Sequence, residues 1–166
     1  MSDELSRHRK RLLAIAYRML GSAAEAEDVL QDAWLRQRAA TGTAIENPEA
    51  WLTTTVTRLC LDRLKSARHQ REVYVGPWLP EPMTTAPDEI DPESISVAFL
   101  LLLERLTPVE RAVYLLQRVF DFSHAEIAAI LGHSEAAVRQ SLHRATQHLA
   151  TDKPRFAPSK DRHVEL

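Results

Sequence analysis

The chain has little glycine, four residues at positions 21, 42, 76 and 132, and that scarcity removes a Gly-rich phosphate-binding loop from consideration. Its single cysteine, Cys60, excludes an internal disulfide and suits a reducing compartment. Lying among Val56, Leu59 and Leu64, it reads as a buried structural thiol rather than a reactive one. No apolar run approaches the roughly 18 residues of a membrane span, and the opening MSDELSRHRK does not have the shape of a secretion signal. Histidine is present, but there is no HExxH, and His143 and His148 stand five apart, off a shared helix face. Ser and Cys lack a matching His/Asp arrangement. Neither a metal, nor a cofactor, nor catalysis by this chain is implied. Strand alternation is also scarce and helical periodicity dominates, so the expected fold is all-α, in two small helical domains.

The charge balance is informative because it is segregated. The net charge is −2, low for an autonomous DNA-binder, which gains affinity by neutralising phosphates. Residues 58–72 hold Arg58, Arg63, Lys65, Arg68 and Arg71 against Asp62 and Glu72, whereas residues 25–32 hold four acids and no base, and residues 76–94 hold five acids and no base. One part of the chain is suited to nucleic acid and another to protein.

The most specific pattern is SHAEIAAILGHSEAAVRQSLHRATQHL, residues 123–149. Ser123 can cap a helix with Glu126 as its capping-box partner. Ile127, Ala128 and Leu131 form an inner face, and Gly132 stands where the chain must leave the helix with φ > 0. Ser134 is a ready cap for a second helix, in which Val138, Leu142, Ala145 and Leu149 repeat at inward spacing. The opposite face carries Glu135, Ala136, Arg139, Gln140, His143 and Arg144, side chains of the kinds that read base edges and phosphates. A helical hairpin with a merely solvated polar face is the alternative; cap, small residue, turn glycine and second cap in order favour a DNA-binding helix-turn-helix.

Upstream, three helices are expected. Residues 6–20 carry the stripe Leu12, Leu13, Ala16, Tyr17 and Leu20; Gly21 ends that helix and Ser22, with Glu25, starts the next, to about residue 39, burying Ala26, Val29, Leu30 and Ala33. Asn47-Pro48-Glu49 opens the third, to about residue 71, with Trp51, Leu52, Val56, Leu59, Cys60 and Leu64 inward. Five of the nine prolines then fall in residues 76–92, which no helix survives. Trp78, Leu79 and Pro80 inside this acidic linker are costly to leave in water and are expected to dock on the chain itself or on another protein. A helix from Asp91-Pro92 to Leu106 follows, then one opened by Thr107-Pro108-Val109-Glu110, with Val109, Ala112, Val113, Leu116 and Val119 facing inward. The polar tail, residues 151–166, is expected to be loosely held or disordered.

With EAEDVLQDAWL (25–35), NPEAWLTTTVTRLCLDRLKSARHQRE (47–72) and LTPVERAVYLLQRVFDFSHAEIAAILGHSEAAVRQSLHRA (106–145) in this order, the chain resembles bacterial sigma factors of the extracytoplasmic-function group. The YVGPWLPEP linker resembles that of the subgroup with an extra C-terminal SnoaL-like domain; the sequence ends about where that domain would begin, as in a truncated piece or a naturally short member. The resemblance implies a sigma region 2 over residues 6–75, a linker over 76–92 and a sigma region 4 over 93–150. It implies that Asp28, Gln31, Asp32, Trp34 and Leu35 dock on the β′ coiled coil of core RNA polymerase. Asn47, Trp51, Thr54, Thr55, Arg58, Asp62 and Arg63 would serve the minus-ten element, where a strand is opened and a base flipped. Many members carry Asn where Arg58 stands and often Arg where Thr54 stands, so the base preference here differs in its determinants. Ser134, Glu135, Arg139, Gln140, His143 and Arg144 would contact the minus-thirty-five duplex of promoter DNA; His133 replaces a usually aliphatic turn residue. A SnoaL-like domain on Trp78, Leu79 and Pro80, or an anti-sigma factor, would regulate it, in the cytoplasm. Weak unaided DNA binding follows, because polymerase supplies most of the affinity. A stand-alone helix-turn-helix regulator is the alternative, and it leaves the acidic helix without a purpose.

Overall fold

The computed structural model describes residues 3–40, 45–73 and 97–151, and all regular structure among them is helical. Helix α1 (Asp3–Leu20) starts three residues before the apolar stripe suggests and ends at Gly21, whose φ of 72° and bond from its N–H to the Tyr17 carbonyl (2.7 Å) close the helix. Helix α2 (Ala23–Ala39) is capped by Ser22, whose hydroxyl accepts from the Glu25 N–H at 3.2 Å. Helix α3 (Pro48–Val73) opens with Pro48 in its first turn and the Asn47 carboxamide oxygen accepting from the Ala50 N–H at 3.1 Å. The linker residues Trp78, Leu79 and Pro80 lie outside the described residues, as do the expected start of the following helix and the tail beyond residue 151.

Helix α4 (Val97–Glu104) gives way to two tight turns before Thr107, which caps α5 (Pro108–Tyr114) in a complete capping box with Glu110. Helix α5 does not end cleanly. It continues as a π-helical turn over Leu115–Val119, in which the Phe120 N–H reaches back five residues to the Leu115 carbonyl. The wider turn rotates the side chains out of the 3.6-residue register, so Leu115 and Leu116 take the buried positions and Val119, expected inside, is 36% exposed. Asp121 then adopts φ 59° and the chain turns into α6 (His124–Leu131). Helix α7 (Glu135–Thr151) completes the order.

The apolar faces meet in a single cluster. Leu12, Ile15, Met19, Leu30, Leu52 and Val56 from the first three helices and Leu103, Leu115, Leu116, Ile127, Val138 and Ala145 from the later ones all belong to it. Helix α1 packs on α2 and α3, α5 on α7, α6 on α7, and the two halves join where α3 meets α5 and α6. All the side chains expected to line the first helix are buried, together with Ile15 and Met19, which lie beside that stripe. Trp51, Val109, Leu131, Leu142 and Leu149 are half-buried at the cluster's edge.

Candidate functional site

Three surfaces carry the side chains singled out by the sequence. The first is the outer face of α7. Helix α6 is held by a capping box at both of its arms: the Ser123 hydroxyl accepts from Glu126 N–H and the Glu126 carboxylate from Ser123 N–H, each at 3.1 Å. Those bonds hold the Glu126 carboxyl below its ordinary range, the backbone N–H of Ser123 contributing most. Gly132 ends α6 at φ 69°, the left-handed conformation that L side chains resist. Two residues on, the Ser134 hydroxyl accepts from Ala137 N–H at 3.1 Å and starts α7. With Val138 and Ala145 fully buried, helical geometry turns Glu135, Arg139, Gln140, His143 and Arg144 outward, and all five are exposed, as is Ser134 at the helix start.

The second surface is the face of α3 that runs Trp51, Thr54, Thr55, Arg58, Asp62. Asn47, Arg58 and Asp62 are exposed, and Trp51, Thr54, Thr55 and Arg63 half-buried. Asn47 is occupied as the α3 cap, and the Thr55 hydroxyl donates to the Trp51 carbonyl at 2.8 Å. Trp51 packs against the core. Arg58 is held in a way the sequence does not announce: its Nε donates to the carbonyl of Ile130, 72 residues away in α6, at 3.0 Å.

The third is the acidic edge of α2. Asp28, Gln31 and Leu35 are exposed and lie one turn apart on one face; Leu35, at 51%, is the more exposed of the two large apolar side chains left in solvent among the described residues. Trp34 is half-buried, with the Arg38 guanidinium 5.1 Å from its ring centre. Asp32 pairs with Arg63 at 3.5 Å, so the acidic edge of α2 and the α3 face are physically joined.

Three arginines that the sequence does not mark cross between the halves, and a fourth pairs within the first. Arg111 is buried and donates from Nε to the Leu103 carbonyl (2.9 Å) and from Nη1 to the Met19 carbonyl at the end of α1 (2.6 Å). Arg11 pairs with Glu49 (3.0 Å), donates to the Phe120 carbonyl (3.2 Å) and lies 4.8 Å from the Phe122 ring centre. Arg18 lies 5.4 Å from the Phe120 ring centre. Arg9 is paired with Glu27 at 2.6 Å within the first half. No local pattern could have found the crossing contacts: the partners there are the Met19 and Phe120 carbonyls and the Phe120 and Phe122 rings, remote in sequence.

Among the described residues no group of three or more His, Cys, Asp or Glu could hold a metal ion, and no helix is long and apolar enough to cross a membrane.

Residues 5–70 match the family described as Sigma-70 region 2, and residues 96–149 that described as Sigma-70, region 4. The chain is 46% identical over 150 residues to the ECF RNA polymerase sigma factor SigJ of Mycobacterium tuberculosis, covering 86% of this chain and 48% of that protein, about half its length. It is 31% identical over 145 residues to the ECF RNA polymerase sigma factor SigL of the same species, covering 86% of this chain and 82% of that one. The crystal structure of Mycobacterium tuberculosis SigJ superposes with a TM-score of 0.70 at 40% identity, over 98% of this chain and 55% of the other. Two sigma regions in order, on the helices that their exposed faces demand, make the chain a member of the extracytoplasmic-function RNA polymerase sigma factors.

Proposed function

We propose that the chain binds core RNA polymerase and directs promoter-specific initiation, with residues 6–75 and 93–150 as its two recognition units. The observation that carries this reading is the coexistence, on one chain with both sigma regions, of an exposed polar face on α7 and an exposed acidic edge on α2 that ends in the uncovered side chain of Leu35. On α7, Ser134, Glu135, Arg139, Gln140, His143 and Arg144 read and position the minus-thirty-five duplex, Arg139 and Gln140 being suited to bidentate contact with base edges. On α3, Asn47, Trp51, Thr54, Thr55, Arg58, Asp62 and Arg63 serve the minus-ten strand. Asp28, Gln31, Asp32, Trp34 and Leu35 dock on the β′ coiled coil, carboxylates steering and the apolar pair supplying desolvated contact.

The polymerisation chemistry belongs to polymerase, and the chain itself contributes recognition; its place is the cytoplasm, on the nucleoid through polymerase. A stand-alone regulator would use α7 but not the α2 edge. The two are separated by native gel shift with sigma-free core polymerase. Asp28→Ala/Asp32→Ala/Leu35→Ala is expected to weaken core binding by about tenfold or more, while Arg139→Ala leaves it unchanged. Core binding unaffected by the triple change would remove the assignment of α2.

A further inference from the structure

Three polar contacts between the two halves share one chemistry: an arginine faces a backbone carbonyl. Arg11 meets the Phe120 carbonyl, Arg111 the Met19 carbonyl and Arg58 the Ile130 carbonyl. Arg58, exposed like Arg11 and unlike the buried Arg111, differs from both in belonging to the α3 face proposed to meet the minus-ten strand. Its partner is specific as well. Ile130 lies in the last turn of α6, where carbonyls lack donors from their own helix and the dipole is negative. The Gly132 and His133 N–H groups both turn back to the Ala128 carbonyl, leaving that of Ile130 to the guanidinium. The guanidinium also lies against the end of α6, since a Cβ placed on Gly132 would touch an Arg58 terminal nitrogen at 3.7 Å.

We propose that Arg58 is an exchangeable latch: it closes the chain by capping α6, and single-stranded nucleic acid opens the chain by taking the same guanidinium with a backbone phosphate. The proposal rests on the reading of α3 as a single-strand face. A phosphate oxygen is charged where the Ile130 carbonyl is neutral; charge-assisted, bidentate bonds to it are roughly twice as strong. At Arg58 itself the exchange favours nucleic acid; opening must also break the Arg111–Met19 and Arg11–Phe120 bonds, and it and strand binding favour each other reciprocally. Opening is also required by size. A compact chain of this length is about 40 Å across, while promoter elements about 25 base pairs apart are separated by roughly 85 Å of duplex. The closed form cannot reach both.

The test places fluorophores on Ala24→Cys and Ala150→Cys, both exposed positions, in the full chain; Cys60 is buried, its thiol pKa pushed far up, and stays unlabelled. Arg58→Gln is expected to lower energy transfer without any nucleic acid, by moving the closed–open equilibrium about tenfold. Arg58→Lys, which keeps the charge and a donor, stays near the parent. In the parent, a single-stranded oligonucleotide of about 12 nucleotides, its occupancy followed by anisotropy, lowers transfer as it binds, and it produces no further fall in Arg58→Gln. If circular dichroism shows Arg58→Gln to be unfolded, the oligonucleotide titration of the parent decides alone. Transfer unchanged in a folded Arg58→Gln, a parent unmoved at full occupancy, or no binding at all would each overturn the latch. Core-polymerase binding is measured in parallel. Binding with an unmoved transfer signal removes the latch and leaves the sigma-factor reading standing; opening in Arg58→Gln without polymerase binding does the reverse.

Discussion

Replacing Arg111 by methionine keeps most of the side-chain volume and removes the guanidinium that ties α5 to α4 and α1. The bonds lost include those to the Leu103 and Met19 carbonyls, at 2.9 and 2.6 Å, from a side chain in a residue only 4% exposed. Hydrogen bonds from a charged donor are each worth about 1.5–3 kcal/mol. Exchanging a whole buried ion pair for apolar groups is often neutral, because both charges leave together. Here the acceptors are main-chain carbonyls and stay behind. A cleft lined by Leu64, Glu104, Arg105, Thr107 and Pro108 opens beside Arg111, and water entering it can satisfy part of what is lost. The lower half of the range applies, about 3 kcal/mol in all. For a chain of this size that is a fall in Tm of roughly 6–12 °C, read by the loss of helical circular dichroism on heating. Arg111→Lys, a point charge that reaches one carbonyl well and the other poorly, should lose about half as much. A Tm for Arg111→Met within about 2 °C of the parent would refute the assignment of Arg111 as the polar tie between the halves.

Three further outcomes follow from local geometry. Because its bonds to Ser123 hold the Glu126 carboxyl below its ordinary range, the α6 cap adds stability above the unfolded carboxylate pKa and loses it as pH falls through the depressed folded value; Glu126→Gln, which removes the titrating group, should flatten that acid-side slope in urea melts, and an unchanged slope would contradict it. Gly132→Ala meets only an ordinary contact at 3.7 Å but must hold φ near 69°, so it should cost about 1 kcal/mol of unfolding free energy, with Gly132→Asn costing less. Cys60 is fully buried and burial pushes its thiol pKa well up, so a thiol reagent should modify it only at the rate of unfolding; fast labelling of the folded chain would show α3 to be packed differently.

What the sequence made legible was whatever is written within a turn or two of chain. The capping boxes at Thr107 and Ser123, the Ser22, Asn47 and Ser134 caps and the left-handed Gly21 and Gly132 are spacing rules of three or four residues, and they fix the helix ends where the structure has them. The outward face of α7 follows from the same periodicity, and its six expected contact residues are all exposed. The π-helical turn is not local in this sense. LLQRV has nothing that forbids an ordinary helix, and packing of Leu115, Leu116 and the following Phe120 and Phe122 decides it, turning Val119 outward against the simple register. The contacts closing the halves were invisible for a stronger reason. Arg58 and Ile130, or Arg111 and Met19, are 72 and 92 residues apart, and a backbone carbonyl has no residue identity to recognise. Arg111 therefore goes unmarked in the sequence, and Arg58 is read there only as part of the basic α3 face.

One chain that joins polymerase to a promoter through separate faces can be caught doing both in run-off transcription with sigma-free core polymerase. A library of promoter fragments is supplied with the chain, with Asp28→Ala/Asp32→Ala and with Arg139→Ala. Specific start sites are expected with the parent and are lost in both variants, in the first through polymerase and in the second through DNA. Absence of initiation by the parent, together with tight binding of a duplex operator by the chain alone, would contradict it and make the protein a regulator that acts without polymerase.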